Sequence, residues 1–362
     1  MYSRSYHFSY VAAISIVVAP ALSLLAISEA QAFTSIINAR RLPASDSLGD
    51  SFAARAQAND PKTQADQLFE TAVKQHREGL FRDAIQTFEQ VLAIRKQLND
   101  KPGIGETLNH LGEVYGEMGS RLKALEVLRQ ALAIHREIAE PSRIARTLNL
   151  LGFVNRIADN FSEAMKLHQE ALELAQKAND QIEIAESFHS IAAVHGEKGE
   201  YAKAIEFYQQ ARAIRTKEGD RRDLGRTLNN MGGVYYNIGD FNRAMEFYHQ
   251  ALAIRREIGD RAGVGRLLNN MALTSRKLGR DTQALIYFQQ AIPMLEAIGD
   301  KTSIGRVFNN MAAIYESLRQ YPKALESYEK ALKIAREGGD KVGETTAMEG
   351  IKRLSSGQRL PQ

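Results

Sequence analysis

The chain has 362 residues, of which 44% are hydrophobic, so it is long enough to bury a substantial core. Its 47 basic and 43 acidic residues give a formal charge of +4, and so balanced a composition does not favour nucleic-acid binding. It contains no cysteine, which excludes disulfides, thiolate metal sites and cysteine nucleophiles.

The N-terminus has the pattern of an export signal. The apolar stretch "VAAISIVVAPALSLLAI" covers residues 11–27, and Ala30-Gln31-Ala32 has the small-x-small form that signal peptidases recognise. We therefore predict a signal peptide over residues 1–32, and an exported protein that is periplasmic or secreted. The alternative is an uncleaved N-terminal anchor, since the apolar run is long for a signal and short for a membrane span. Residues 33–62 lack periodicity and are predicted to be a flexible linker.

A 40-residue repeat fills the rest of the chain. Seven blocks start near residues 61, 101, 141, 181, 221, 261 and 301 without any insertion, and we assign residues 63–340 to them. Position 24 of each block is Ala, and position 12 is always Ala or Gly. Two helices approach closely only where side chains are short, so each block is predicted to form an antiparallel helix pair. Residues 341–355 are predicted to form a capping helix, followed by a tail over residues 356–362.

The fifth block illustrates the local signals. Apolar residues recur at helical spacing on both sides of Gly239-Asp240. Gly239 suits a left-handed residue after the first helix, and Asp240 suits the N-cap of the second. Gly232 and Ala244 are predicted to mark the crossing of the two helices.

Two departures from the repeat carry their own predictions. Asp159-Asn160 replaces the usual Gly-Asp, and both residue types tolerate a left-handed conformation at modest cost. Pro293 lies well inside a second helix, so a kink or an early end is predicted near residues 289–292.

These residues resemble the tetratricopeptide repeat (TPR). In the fifth block the family pattern is carried by Leu228, Met231-Gly232, Tyr235, Gly239, Phe241, Ala244, Tyr248 and Ala251. The 40-residue length is similar to Pins-type adaptors, kinesin light chains and bacterial arrays, including those attached to CHAT protease domains. An export signal before such an array is most similar to cyanobacterial or related bacterial proteins. The resemblance implies an all-α fold, a right-handed α-solenoid (TPR superhelix) of antiparallel helix pairs.

The resemblance also implies where ligands bind. In the family, the first helix of each repeat lines the concave face, and the ligand positions correspond to positions 6, 9, 13, 16 and 17 of each block. An Arg-x-x-Asn pair recurs at positions 6 and 9 of four blocks. The predicted binding residues are therefore Arg146, Asn149, Arg226, Asn229, Tyr236, Asn237, Arg266, Asn269, Arg276, Lys277, Arg306 and Asn309.

This set has a clear chemistry and a plain alternative. An Asn amide can pair with a peptide backbone, and Arg can bind a carboxylate with two parallel hydrogen bonds. The set thus suits a peptide or protein that contains acidic residues or offers a free C-terminus. Alternatively, duplication has merely copied a solvated face, with each Arg paired to Asp or Glu in the preceding inter-block turn. The second Asn of each pair (Asn230, Asn270 and Asn310) points about 100° away and is expected to bond to the neighbouring repeat.

The sequence thus predicts a non-enzymatic exported scaffold that binds a peptide segment or partner protein in its groove. No catalytic residues, cofactor or metal site are predicted, since His189 and His195 face different sides of a helix and no HExxH spacing occurs. Nucleic acid is not expected as a partner, nor is a membrane apart from possible retention of the N-terminal segment. The alternatives are an accessory subunit of a separately encoded enzyme, such as a CHAT-type protease, and a self-associating structural array.

Overall fold

The computed structural model describes residues 60–356, and this part of the chain consists of fifteen α-helices without any β-strand. The predicted signal peptide, nearly all of the predicted linker and the last six residues lie outside the described residues. The helices are, in chain order, α1 (Pro61–Arg77), α2 (Phe81–Gln97), α3 (Lys101–Glu117), α4 (Arg121–Glu137), α5 (Pro141–Arg156), α6 (Phe161–Lys177), α7 (Gln181–Glu197), α8 (Tyr201–Glu218), α9 (Arg221–Ile238), α10 (Phe241–Glu257), α11 (Arg261–Lys277), α12 (Asp281–Glu296), α13 (Lys301–Ser317), α14 (Tyr321–Gly338) and α15 (Lys341–Ser355).

The helices form seven consecutive pairs followed by α15, which confirms the predicted all-α solenoid. Each helix packs against the helices before and after it in sequence, and each first helix from α1 to α9 also contacts the next first helix. Contacts are thus made only between neighbours, as in a one-dimensional array. Among residues 60–356, none of the helices combines the length and apolar character that a membrane span requires.

The core is formed where the small residues at position 12 meet large residues of the second helix. A Cβ added to Gly232 would lie 2.5 Å from a ring carbon of Tyr248, and one added to Gly112 would lie 2.4 Å from Leu128. Both Tyr248 and Ala244 are buried. Gly232 therefore marks the helix crossing as predicted, with the ring of Tyr248 filling the space above it.

The turns between helices share one backbone conformation. Gly239 has a φ of 92° and the side chain of Asp240 accepts a hydrogen bond from the Arg243 amide at 3.1 Å, as predicted. Asp159 adopts the predicted left-handed conformation with a φ of 58°. Asn160, by contrast, has a φ of −86° and is the N-cap residue of α6. Each turn thus needs only one left-handed residue.

Pro293 does not end its helix. Helix α12 continues without a break from Asp281 to Glu296, so the predicted early end near residues 289–292 is wrong. A proline removes one backbone hydrogen bond, but packing outweighs this loss here, since Ala291 and Leu295 on either side are fully buried.

Helix α15 closes the C-terminal end of the array. Its Arg353 donates to both carboxylate oxygens of Glu316 at 2.7 Å, and Glu316 also accepts from the Tyr328 hydroxyl at 3.1 Å. Lys352, at the small-residue position of this helix, is exposed.

Candidate functional site: the first-helix surface

The first-helix surface is the face formed by positions 6, 9, 10, 13, 16 and 17 of the first helices. It carries all twelve residues predicted to bind a ligand. Successive first helices from α1 to α11 contact one another, so the surface continues from repeat to repeat. The structure places three of the twelve between repeats and pairs three with charged or polar neighbours. The other six lie on the fifth and sixth repeats and include three exposed cations.

The position-9 asparagines at both ends of the set lie between repeats. Asn149 is 4% exposed and donates to Ser187 Oγ of the next repeat at 2.9 Å. Asn309 is 7% exposed and donates to the Gly343 carbonyl at 3.0 Å. Their amides are therefore engaged in holding adjacent helices together, and their role in ligand binding stays a prediction.

The middle repeats use both asparagines of each pair. Asn229 donates to Asn230 Oδ1 at 3.1 Å and accepts from Asn270 Nδ2 at 3.2 Å. Asn230 lies 3.2 Å from His189 Nε2 of the preceding repeat. Asn230 and Asn270 thus make the predicted inter-repeat bond. Their partners, His189 and Asn229, both lie at position 9, one of the positions that the family uses for ligands.

Three of the position-6 arginines are paired. Arg226 donates to Asp223 at 2.8 Å and to Glu186 of the preceding repeat. Arg306 lies 3.2 Å from Asp340 in the following inter-block turn, and Arg146 lies 3.3 Å from His110. Pairing with an acid in the preceding inter-block turn was the alternative reading of this ladder. Arg226 and Arg306 do pair with acids, but Asp223 and Glu186 belong to first helices and Asp340 lies in the following turn.

A cationic patch remains on the fifth and sixth repeats. Arg266, Arg276 and Lys277 are exposed on α11, and none of them has an ion pair among residues 60–356. Asn269, half-buried, lies one turn after Arg266 and two turns before Arg276, so these residues follow one side of the helix. Exposed Asn237 and half-buried Tyr236 lie at the end of the neighbouring α9. These six residues are called the cationic patch below.

A buried charge network lies beside this surface, between the fourth and fifth repeats. The side chain of Arg215 is 3% exposed and donates to Glu186 at 2.6 Å, to the Thr227 hydroxyl and to the Asp223 carbonyl at 3.2 Å. Burial alone would raise the pKa of Glu186, but Arg226 and Arg215 outweigh it and hold that pKa well below its usual value. The network therefore holds a carboxylate and two guanidinium groups in one inter-repeat contact.

Sequence reasoning missed this network, although the repeat register contained its signal. Position 35 of four blocks is Arg or His, and position 7 of the block that follows is Thr in three of them. Arg95 donates to Thr107 at 3.0 Å, and His135 lies 2.9 Å from Thr147. At the next junction of this kind, position 7 is Leu267, and Arg255 donates to Asp260.

Glu183 is a second carboxylate with a perturbed environment. It lies in the first turn of α7, where burial, with a further contribution from Glu186, raises its pKa to about 7. In the described part of the chain its side-chain hydrogen-bond partner is Asn149 Nδ2 at 3.5 Å, a distance too long to offset the loss of hydration.

The comparisons with known proteins agree with this architecture. Models of the tetratricopeptide repeat match residues 68–137, 143–217, 223–297 and 305–337. Among curated proteins, no match is found.

Several solved structures share the fold at low sequence identity. A Rap protein complexed with competence and sporulation factor is 16% identical, with 81% of this chain and 80% of that one covered and a TM-score of 0.61. The quorum sensor NprR from B. thuringiensis, in its apo form, is 14% identical, with coverage of 80% and 82% and a TM-score of 0.58. The Cut9–Hcn1 complex of APC/C is 16% identical, with coverage of 87% and 54% and a TM-score of 0.57. With the repeat models matching most of the chain, the protein belongs to the tetratricopeptide repeat family.

Proposed function

We propose that the protein is an exported, non-enzymatic scaffold that binds an acidic peptide segment or partner protein on its first-helix surface. The observation that carries the proposal is the cationic patch, in which three exposed side chains have no anionic partner within residues 60–356 while most other arginines of this surface are paired. An unpaired cation keeps its full capacity to bind a carboxylate, whereas Arg226 and Arg306 would first have to release one.

The patch has the layout that an extended peptide requires. Arg266 and Arg276 are ten residues apart on α11, a rise of about 15 Å, which matches about four to five residues of extended chain. The amides of Asn237 and Asn269 lie on the same surface and can pair with a peptide backbone without regard to its sequence. A ligand with two acidic groups, or one acidic side chain and a free C-terminus, fits this spacing.

The structural relatives support a peptide or protein ligand as a class. The Rap protein was solved with competence and sporulation factor, and the archaeal protein PH0952 is described as carrying a TPR sensor. Their low identity extends only to the fold, so the acidic preference rests on the patch itself. Export rests on the sequence of residues 1–32.

Binding is tested with the mature chain and a library of fluorescent peptides, each made with a free and an amidated C-terminus. The variant Arg266→Ala, Arg276→Ala and Lys277→Ala removes the three unpaired cations. The matched control, Arg129→Ala, Arg212→Ala and Lys217→Ala, removes three exposed cations from second helices.

We expect acidic peptides to bind the wild-type chain and the control equally, and to bind the patch variant at least about tenfold more weakly. Each of the three exposed charge contacts contributes about 0.2–1 kcal/mol to binding, and the hydrogen bonds of these side chains add to this. Affinity should also fall as salt increases. Equal loss in both variants would indicate nonspecific charge attraction, and unchanged binding in the patch variant would show that the patch is not the site. Light scattering of the same samples would reveal self-association instead.

A further inference from the structure

A cluster of two imidazoles and two carboxylates lies on the first-helix surface between the first two repeats. His76 is in the last turn of α1, while His110 and Glu113 are one turn apart in α3. One ligand-capable atom from each of these three residues lies within 4.8 Å of the other two. Glu117, one turn further along α3, places Oε2 3.4 Å from His76 Nε2. Since positions 110, 113 and 117 follow the i, i+3, i+7 spacing, their side chains share one helix face.

Repeat duplication does not explain this cluster. At the last junction the equivalent three positions are Glu316, Gly350 and Arg353, which include a carboxylate but no imidazole. The equivalent three positions at the five junctions between contain neither group. They are Gly116 with Leu150 and Phe153, Arg156 with Ser190 and Ala193, Gly196 with Asn230 and Gly233, Tyr236 with Asn270 and Leu273, and Arg276 with Asn310 and Ala313. The combination is therefore specific to the first junction.

His110 is held in place and has a nitrogen without a partner. Its ring stacks on Phe88 with centroids 5.5 Å apart and meets the edge of Phe69 at 5.1 Å. Among residues 60–356 the buried Nδ1 has no hydrogen-bond partner, and the carboxylate oxygen Glu113 Oε2 is 3.6 Å away. A buried, unpartnered imidazole nitrogen beside a carboxylate is a candidate metal ligand.

Each imidazole of the cluster has a carboxylate beside it. Glu113 Oε2 lies 3.6 Å from His110 Nδ1, and Glu117 Oε2 lies 3.4 Å from His76 Nε2. Two imidazole nitrogens and two carboxylate oxygens in one place form a donor set that Zn²⁺ accepts.

We propose that His76, His110, Glu113 and Glu117 form a binding site for one divalent transition-metal ion, best matched by Zn²⁺, that joins α1 to α3. Zn²⁺ takes four nitrogen and oxygen ligands at about 2.0–2.2 Å, so its ligand atoms lie about 3.4 Å apart. The separations of 3.4 Å and 3.6 Å within the two imidazole–carboxylate pairs already match this spacing. The ligand atoms of His76, His110 and Glu113 all lie within 4.8 Å of one another, so small side-chain movements suffice. Mg²⁺ and Ca²⁺ prefer six or more oxygen ligands and do not match two imidazoles.

Arg146 of the third repeat opposes this site in a defined way. Its Nη2 lies 3.3 Å from His110 Nε2 and donates to it, which leaves the ring proton on Nδ1. Coordination through Nδ1 moves that proton to Nε2, so the guanidinium must withdraw. Metal binding is therefore expected to release Arg146 from His110.

The test uses the full mature chain, purified without a histidine tag, and ZnCl₂ as the probe. Isothermal titration calorimetry measures stoichiometry and affinity, and CoCl₂ reports the ligand geometry through its visible spectrum. The variants are His76→Gln and Glu113→Gln, each nearly the same shape as the original residue, and the control is His249→Gln on the exposed face of α10. Circular dichroism of each variant verifies that the helices are retained.

We expect one Zn²⁺ per chain, an affinity at least tenfold weaker in His76→Gln and in Glu113→Gln, and no change in His249→Gln. Bound Zn²⁺ stabilises the contact between α1 and α3. With Zn²⁺ at 100 times its Kd, backbone amides that exchange only when α1 separates from α3 should therefore exchange about 100-fold more slowly. Arg146→Gln should bind Zn²⁺ more tightly than the wild type. The proposal would be overturned if the wild type bound no Zn²⁺, or if His76→Gln and Glu113→Gln bound it as tightly as the wild type. Weaker binding by Arg146→Gln than by the wild type would overturn coordination through Nδ1.

Discussion

The two adjacent glycines of α9 allow the helix crossing to be tested with a built-in comparison. A Cβ on Gly232 would lie 2.5 and 2.6 Å from two ring carbons of Tyr248, whereas a Cβ on Gly233 would meet only the hydroxyl oxygen of the same residue, at 4.0 Å. Tyr248 is 3% exposed and cannot swing into solvent without leaving the core. Gly232→Ala therefore forces a rearrangement that Gly233→Ala does not.

The magnitudes separate the two variants. Each gains about 0.8–1 kcal/mol of helix propensity, and this gain cancels when they are compared with each other. Inserting a methyl group into a packed core costs about 1–3 kcal/mol. We therefore expect Gly233→Ala to be more stable than the wild type by about 0.5–1 kcal/mol, and Gly232→Ala to be less stable than Gly233→Ala by about 1–3 kcal/mol. Ala192 faces Tyr208 at the same repeat positions, so adaptation of the helix spacing places the cost nearer the lower limit.

Urea denaturation followed by circular dichroism measures the difference as a shift of the midpoint. Because a repeat array need not unfold in one step, amide exchange in α9 and α10 should be measured as well. If Gly232→Ala proved as stable as Gly233→Ala by both measurements, the close approach would not limit packing and the reasoning would be refuted.

Further predictions concern the buried carboxylates and the turns. The pKa of Glu183 is raised to about 7, so the contribution of this residue to stability is complete below its unfolded pKa and is lost as pH rises towards 8. In denaturation experiments, Glu183→Gln should therefore be more stable than the wild type by about 1–3 kcal/mol at pH 8, and equally stable at pH 4. The pKa of Glu186 is depressed, so the stabilisation from its ionised form is present above its unfolded pKa and declines as pH falls below about 5. Glu186→Gln should therefore lower the free energy of unfolding by about 1–3 kcal/mol at pH 7 and by less at pH 3. An equal loss at both pH values would contradict the ion network. Ala139 has a φ of 54°, so Ala139→Gly should raise the free energy of unfolding by about 0.5–1 kcal/mol. Ala178 has a φ of −81°, so Ala178→Gly should lower it by a similar amount, and thermal denaturation of both variants measures the difference.

The sequence was sufficient for the architecture because the relevant signals are local and repeated. A 40-residue period, a small residue at position 12 and a turn residue before the Asp caps mark the helix pairs and many of the helix ends. Gly232, Gly239 and Asp240 all behave as their residue types predict.

The partners of the first-helix surface could not be predicted in the same way. Whether Asn149 faces a ligand or the next repeat depends on how far each repeat rotates relative to its neighbour, and no single block contains that information. The charge state of the surface depends on pairs such as Arg226 with Glu186, which are separated by one whole repeat. Pro293 illustrates the same limit, since its effect on α12 is decided by tertiary packing rather than by its own helix propensity.

The turns also differ in conformational strain along the chain. All described turns contain a left-handed residue, and in nine of them it is Gly, whereas the five other residues with positive φ are Asn99, Ala139, Asp159, Asn179 and Arg319. Four of these five lie in the first three repeats, and a left-handed residue with a side chain is less favourable than Gly there. An array of this kind can open at any junction, and the strained turns make the N-terminal junctions less stable than the others. We therefore expect a force applied along the chain to separate the N-terminal repeats before the C-terminal ones. The cationic patch lies on the fifth and sixth repeats, so it would stay folded while the other end extends.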